Sequence, residues 1–193
     1  HLDCRRQRQM CIRDRYLAAV GLKNVELTAE IAEGWLPFMY SPIKGEDIYK
    51  ESLNNGFKKS GDSDKKNKFE IVTTVFGRVC EEDEIDQYLY PARNIYTLYV
   101  GGMGAKSKNF YYNLFCEYGY EDIADELQNL YLSGNKKESE ELFPKELLNE
   151  LTLVGTKKDI EKKLETWKES NITEISLSLP IDFETVKFIK ELL

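Results

Sequence analysis

Tyr16–Phe38 reads YLAAVGLKNVELTAEIAEGWLPF, and its patterning decides the fold. The opening run Tyr16–Val20 is short and apolar and closes on Gly21, the pattern of a buried strand. Across Asn24–Glu33, the residues Val25, Leu27, Ala29, Ile31 and Ala32 recur with near-helical spacing, and Gly34 follows as a stop. Gly34–Tyr40 (GWLPFMY) is a second apolar run, made irregular by Pro37. Strand, turn, helix and strand within one short stretch are the elements of a βαβ unit.

The same alternation continues outward. Gly45–Ser60 reads as a helix with Ile48, Ser52 and Phe57 near one face and Gly61 past its end. Asp62–Lys68 is a polar surface loop. Phe69–Cys80 (FEIVTTVFGRVC) is the clearest strand, long and β-branched. The acidic Glu81–Glu84 suits the positive end of the next helix, which runs through Tyr88, Ala92 and Tyr99 toward Gly101. Ser107–Leu151 predicts short helices broken at Gly119, Gly134 and Pro144. Thr156–Asp159 is a variant capping box after Gly155, and Ile160, Leu164 and Trp167 supply the buried face of its helix. Ile172–Leu179 alternates like a strand, and Phe183–Leu193 closes as a helix. Alternation of this kind predicts an α/β fold with parallel strands. The strands are too few for a closed eight-stranded barrel of about 250 residues. On pattern alone an open doubly wound sheet stays an alternative.

The bulk numbers bound the function. The chain has 193 residues, 41% hydrophobic, with a formal net charge of −7. That suits one globular domain and argues against nucleic-acid binding, which favours a basic surface. No apolar run approaches the roughly 20 residues of a membrane helix, and no signal-peptide core is evident. The expected compartment is the cytoplasm. Cys4, Cys11, Cys80 and Cys116 lack metal-ligand or disulfide-framework spacing, so no metal is expected. Five of the seven arginines, and the single histidine, lie within His1–Arg15. This basic segment lacks periodicity and reads as a non-native leader, with residues 16–193 as the domain proper. A nucleic-acid arm is the alternative reading of it.

Tyr16–Phe38 resembles the strand–turn–helix–strand unit of luciferase-like monooxygenases and their deazaflavin-dependent relatives, with Glu33-Gly34-Trp35 opening the second strand. Val100–Asn109 (VGGMGAKSKN), Cys116–Tyr120 (CEYGY), Leu127–Gly134 and Leu153–Gly155 are similar to the coenzyme F-420-dependent branch. The resemblance runs from Tyr16 to about Leu179. It implies the C-terminal half of a (β/α)8 TIM barrel, with an extra helical insertion before the last strand and the first four strands absent.

The resemblance also implies chemistry. Ala18, Ala19, Val20, Gly21, Lys23 and Asn24 match the cofactor-contacting stretch. Small residues there allow close approach of a flat ring, and a helix start with Lys23 suits a phosphate. Trp35, Phe38, Met39 and Tyr40 suggest an apolar substrate wall, with plain core packing as the favoured alternative. Phe38 and Ser41 match positions that contact substrate in sugar-specific relatives. Phe38 lacks the hydroxyl found at the first position and Ser41 the cation found at the second, which argues against a phosphorylated sugar. Gly101–Ser107 departs from both GxGxxG and GxxxxGK[ST] and reads as a helix end. Glu81–Glu84 and Glu138–Glu141 read as solvated faces, and Cys80 and Cys116 as small hydrophobes.

The implied activity is hydride transfer with coenzyme F-420 on a small organic molecule. The alternatives are an FMN-dependent monooxygenase of the same fold and a non-catalytic half-barrel interaction module. A homodimer of the full-length protein is left open. The resemblance places the general acid in the absent half, so the fragment itself is expected to be inactive. The strand at Tyr16–Val20 would carry an unpaired apolar edge. Isolated Tyr16–Leu193 is therefore expected to self-associate, and a monodisperse, cooperatively melting sample in light scattering and calorimetry would refute this.

Overall fold

The computed structural model describes residues 14–104, 108–178 and 180–192. Residues 1–13 of the segment read as a basic leader, residues 105–107 of the Gly101–Ser107 stretch, and Leu179 and Leu193 lie outside the described residues. Five parallel strands form the sheet: β1 (Tyr16–Leu17), β2 (Gly34–Trp35), β3 (Glu70–Val79), β4 (Leu153–Gly155) and β5 (Glu174–Ser178). Long, β-branched β3 is the hub. It pairs with β2 at Glu70 and Ile71, with β5 across Val72–Phe76, and with β4 across Gly77–Val79.

The helices are α1 (Leu22–Ile31), α2 (Gly45–Ser60), α3 (Lys65–Lys68), α4 (Ile85–Gly102), α5 (Phe110–Phe115), α6 (Glu121–Leu132), α7 (Lys136–Glu141), α8 (Lys145–Glu150), α9 (Lys157–Glu169) and α10 (Phe183–Leu192). They cover mainly one face of the sheet, and α4 also covers Phe76, whose ring meets Tyr96 edge-on at 5.7 Å. Ile71, Thr73 and Val75 of β3 point into that covered side and are buried, whereas Glu70 and Thr74 of β3 and Glu174 and Ser176 of β5 are exposed. Parallel sheets are ordinarily covered on both faces. A parallel sheet with helices mainly on one face is the arrangement of a (β/α) barrel, in which the helices form the outer ring. On the open face the Tyr16 hydroxyl donates to Glu70, and the Tyr16 ring lies over Gly34. A Cβ on Gly34 would come within 2.3 Å of that ring, so glycine is required there for space.

Several elements differ from the sequence reading. The first strand stops at Leu17 instead of Val20, and the second at Trp35 instead of Tyr40. The ladder advances two residues at a time: Gly34 N–H donates to the Arg15 carbonyl at 3.1 Å and Leu36 N–H to that of Leu17 at 2.9 Å. The chain then bends at Pro37. The next carbonyl, that of Ala19, is taken by the Trp35 indole N–H at 2.8 Å. β4 was not evident from the sequence because three residues show no periodicity; they are fixed by pairing with β3. The polar Asp62–Lys68 loop contains α3, and Glu82–Glu84 forms a separate 3-10 turn before α4. Arg15 belongs to the fold: its carbonyl also accepts from Glu33 N–H at 2.9 Å, and its own N–H donates to the Glu33 carboxylate at 2.8 Å.

Other elements form as read. The capping box at Thr156 is present, with the Thr156 hydroxyl accepting from Asp159 N–H at 3.3 Å and the Asp159 carboxylate accepting from Thr156 N–H at 3.0 Å. Gly61 ends α2 with φ 73°, a left-handed conformation that favours glycine. Ile160, Leu164 and Trp167 are buried under α9. Helices α1 and α2 cross in contact at Gly56, where a Cβ would lie 2.2 Å from the Glu26 carbonyl oxygen and 2.6 Å from the Ala29 Cβ. Backbone cannot yield as a side chain would. Gly56→Ala is expected to destabilise the fold by about 2–3 kcal/mol through this overpacking, measured as a lowered urea midpoint with unchanged slope.

Candidate active site

The C-terminal end of β1 opens onto a cleft of about 850 Å³. Active sites of (β/α) barrels lie at this end of the strands. One wall is Val20, Gly21, Leu22, Lys23 and Asn24, the turn and first residues of α1. The other comes from α2 (Asp47, Ile48, Tyr49) and from the α5 region (Phe110, Asn113, Leu114, Cys116, Glu117).

The first wall suits an anion. Helix α1 starts with no side-chain cap and no acidic residue in its first turn. Gly21 carbonyl accepts from Asn24 N–H at 2.9 Å and Val25 N–H at 3.0 Å, which turns the backbone into the helix. The Leu22 and Lys23 N–H groups, which precede these bonds, are those a helix start leaves without intrahelical acceptors, at the positive end of the dipole. Exposed Lys23 adds a full charge beside them. Gly21 itself is extended, with φ −65° and ψ 135°, so its role is steric and not conformational. A Cβ there would come within 2.7 Å of the Phe110 ring.

The second wall is set by two devices. Asn109 clamps the end of α4 to the start of α5. Its side-chain amide donates to the carbonyls of Tyr99 at 2.9 Å and Val100 at 2.7 Å, and its oxygen accepts from Tyr111 N–H at 2.9 Å and Tyr112 N–H at 3.2 Å. After α5 the chain passes through a π-helical turn, Cys116–Tyr120, in which Gly119 takes φ 86°. The fully buried Tyr118 is the second device. Its hydroxyl donates to the Met39 carbonyl at 2.7 Å and accepts from Ser41 N–H at 3.1 Å. Met39 is the one non-glycine residue with positive φ, 57°, among those described, a conformation costing about 1 kcal/mol. The Tyr118 bonds hold it there.

The residues singled out from the sequence divide. Val20, Gly21, Lys23 and Asn24 line the cleft together. Ala18 and Ala19 lie just before it, and the Ala19 carbonyl is engaged by Trp35. Trp35 and Tyr40 are sealed in the core. Trp35 packs edge-on against Tyr40 and Tyr49, with ring centroids at 5.9 and 4.8 Å. The Tyr40 hydroxyl bonds to Asn171. Phe38 is half-buried against Tyr96, Tyr99 and Tyr111. Ser41 is buried in the turn before α2; its hydroxyl oxygen accepts from Lys44 N–H at 2.8 Å and its hydroxyl donates to Glu150. The wall from α2 and α5 was not anticipated; the signal for it is Asn109, a cap residue ahead of the apolar Phe110–Phe115.

The chemistry available is binding chemistry. Burial pushes the Cys116 thiol up, which keeps it protonated and a weak nucleophile. Burial likewise raises the hydroxyls of Tyr49, well beyond the ordinary range, and of Tyr111, to about 12. Neither is a proton acceptor near neutral pH.

A luciferase-like monooxygenase family model matches residues 5–174. The chain belongs to that family. A Mycobacterium tuberculosis protein named as a coenzyme F-420-dependent oxidoreductase is 36% identical over 157 residues, which are 81% of this chain and 44% of that protein. Among solved structures, the chain is similar to the coenzyme F-420-dependent tetrahydromethanopterin reductase of Methanopyrus kandleri. That match has a TM-score of 0.69 at 15% identity and covers 93% of this chain and 50% of the reductase. It is also similar to an F-420-dependent secondary alcohol dehydrogenase in complex with an F-420–acetone adduct, with a TM-score of 0.59 at 16% identity, over 92% of this chain and 47% of that one. The chain thus spans about half the length of the relatives it matches, and the half it spans has the barrel fold of this family.

The contact at Gly21 is testable on its own. Phe110 is exposed and free to swing. Gly21→Ala is therefore expected to cost under about 1 kcal/mol in a thermal melt while narrowing the cleft. Adding Phe110→Ala is expected to reopen it, read as recovery of ligand binding in the double variant.

Proposed function

We propose that this luciferase-like chain is part of an oxidoreductase that uses coenzyme F-420 on a small organic molecule, and that Ala18–Asn24 form one side of the cofactor seat. The single observation carrying this reading is the uncapped start of α1 beside Lys23, facing a cleft at the C-terminal end of a barrel strand. The relatives named for F-420 dependence support the choice of cofactor.

The residues present fit such a group. Val20 and Gly21 bring backbone close to the cleft without side-chain bulk beyond the isopropyl. The first N–H groups of α1 and the Lys23 ammonium suit a phosphodiester in the cofactor tail. Ala18 and Ala19, small and adjacent, leave room for a planar ring. The deazaflavin supplies hydride chemistry when bound; the protein supplies binding, orientation and exclusion of water. In the described residues the orienting work falls to the turn at Gly21 and to the aromatic packing that fixes Trp35 behind Ala19. Trp35, Phe38 and Tyr40 shape a substrate wall indirectly, by holding the Pro37–Ser41 bend from the core side.

Lys23→Ala is expected to weaken F-420 binding about fivefold, the worth of one partly exposed charge at a helix start. Lys23→Arg is expected to retain most of the affinity. Titration of cofactor fluorescence against the protein, in parallel with FMN, measures both. Tight FMN binding with no affinity for the deazaflavin would overturn the proposed cofactor.

A further inference from the structure

The proposed cofactor contacts use one wall of the cleft and leave the facing wall unassigned. That wall carries Asp47 and Tyr49 of α2, Asn113 of α5 and Glu117 of the π-helical turn, with Ile48 and Phe110 adding apolar surface. Tyr49 is 2% exposed, and its ring is fixed edge-on to Trp35 and stacked on Tyr40. Its hydroxyl has no hydrogen-bond partner among the described residues, yet it is not one of the unpartnered side-chain atoms sealed from solvent. The small surface that Tyr49 keeps therefore includes the hydroxyl, which emerges in the cleft that Tyr49 lines. A hydroxyl held rigidly at the base of a cleft favours a ligand that hydrogen-bonds to it.

The two carboxylates lie in unlike surroundings. Asp47 sits in the first turn of α2, where the helix dipole complements it. Glu117 follows the C-terminal end of α5, ahead of the kink at Gly119, where a helix favours a cation instead. Both are exposed, and neither forms an ion pair among the described residues. Burial first, then the neighbouring Tyr111 and Glu117, raise the Tyr49 hydroxyl; Glu117 is thus within electrostatic reach of it. No third ligating side chain joins these carboxylates into a metal site among the described residues.

We propose that this wall is a subsite for an organic ammonium group, the cationic end of an alkyl- or arylamine substrate. One N–H of the ammonium donates to the Tyr49 hydroxyl oxygen and another to the Glu117 carboxylate, with Asp47 adding longer-range attraction. Ile48 and the exposed Phe110 ring take the hydrocarbon part, and an aromatic face also suits the charge. The cleft thereby sorts its ligands by sign, an anion at the start of α1 and a cation opposite. Calling the amine a substrate rests on the oxidoreductase reading; the binding of the ammonium does not.

Charge discrimination by the 193-residue chain tests the subsite. Benzylamine and benzyl alcohol share a ring and differ in charge near neutral pH, and each is titrated against the chain by ligand-observed NMR. The amine is expected to bind roughly tenfold more tightly, the worth of one hydrogen bond to a charged group. Glu117→Gln is expected to remove most of that advantage, whereas Glu138→Gln on α7, outside the cleft, is expected to leave it intact. Tyr49→Phe is expected to weaken amine binding roughly fivefold. Equal affinity for amine and alcohol in the unaltered chain, which needs no variant, overturns the subsite. An advantage that falls equally in Glu117→Gln and Glu138→Gln reports only the net charge of −7 and overturns it too. A folded Tyr49→Phe chain with the original amine affinity overturns the role given to the hydroxyl. Cofactor titration is read apart: amine discrimination without F-420 binding leaves the subsite standing and overturns the oxidoreductase reading, and the reverse result overturns the subsite alone.

Discussion

The indole N–H of Trp35 takes a backbone carbonyl that the sheet abandons. At Ala19 the parallel ladder runs out of donors because its neighbour bends at Pro37, and the indole fills the vacancy at 2.8 Å. The bond joins the two strands beyond their last backbone pair. It also anchors Trp35 among Tyr40 and Tyr49, so the first strand, the second strand and α2 share one support. The backbone beyond Ala19 is thereby freed from pairing. Val20 and Gly21 turn away from the sheet and begin α1, and the cleft opens at that divergence. An ordinary strand continuing to Val20 would carry the same residues past the place where a ligand can meet the start of the helix.

A comparable economy operates on the opposite wall. Tyr118 lies far from Met39 and Ser41 in sequence, yet its one hydroxyl serves as both donor and acceptor between them. The bend after Pro37, the turn before α2 and the π-helical turn are thus held together. Lys44 reinforces the arrangement by donating to the Tyr118 carbonyl. The cleft is consequently bordered by backbone fixed through side chains from three separate elements, which is the preorganisation a binding site requires.

Much of this was legible in the residues, and the limits are physical. Long, periodic segments declared themselves: β3 through β-branched residues, α9 through its capping box and the spacing of Ile160, Leu164 and Trp167, α2 through Gly61. The ends of β1 and β2 did not, because an apolar run looks the same whether its carbonyls are met by a ladder or by an indole. β4 escaped because pairing with Gly77–Val79, far away in sequence, is what makes it a strand. Within the site, Val20–Asn24 were visible as a small-residue turn ahead of a helix. Asp47, Tyr49 and the α5 residues were not, since only the folded chain brings them opposite Gly21. Trp35 and Tyr40, read from their aromatic character as wall residues, are interior supports; composition alone does not distinguish the front of a wall from its back.

The pairing of β3 with both β2 and β5 spans very different lengths of chain. Gly34 and Glu70 are register partners across one helical hairpin, whereas Ile71 and Thr173 are 102 residues apart. Because loop-closure entropy grows only with the logarithm of length, closing the longer loop costs about 1 kcal/mol more than closing the shorter. The tract between β3 and β5 is therefore a place where the architecture tolerates growth, loss or replacement of whole helices at little thermodynamic expense. Phe110–Glu117, one side of the cleft, lies inside that tract, while Val20–Asn24 lies outside it, just after β1. One wall of the cleft thus lies in a tract that can change length at little thermodynamic cost, while the wall at Val20–Asn24 does not.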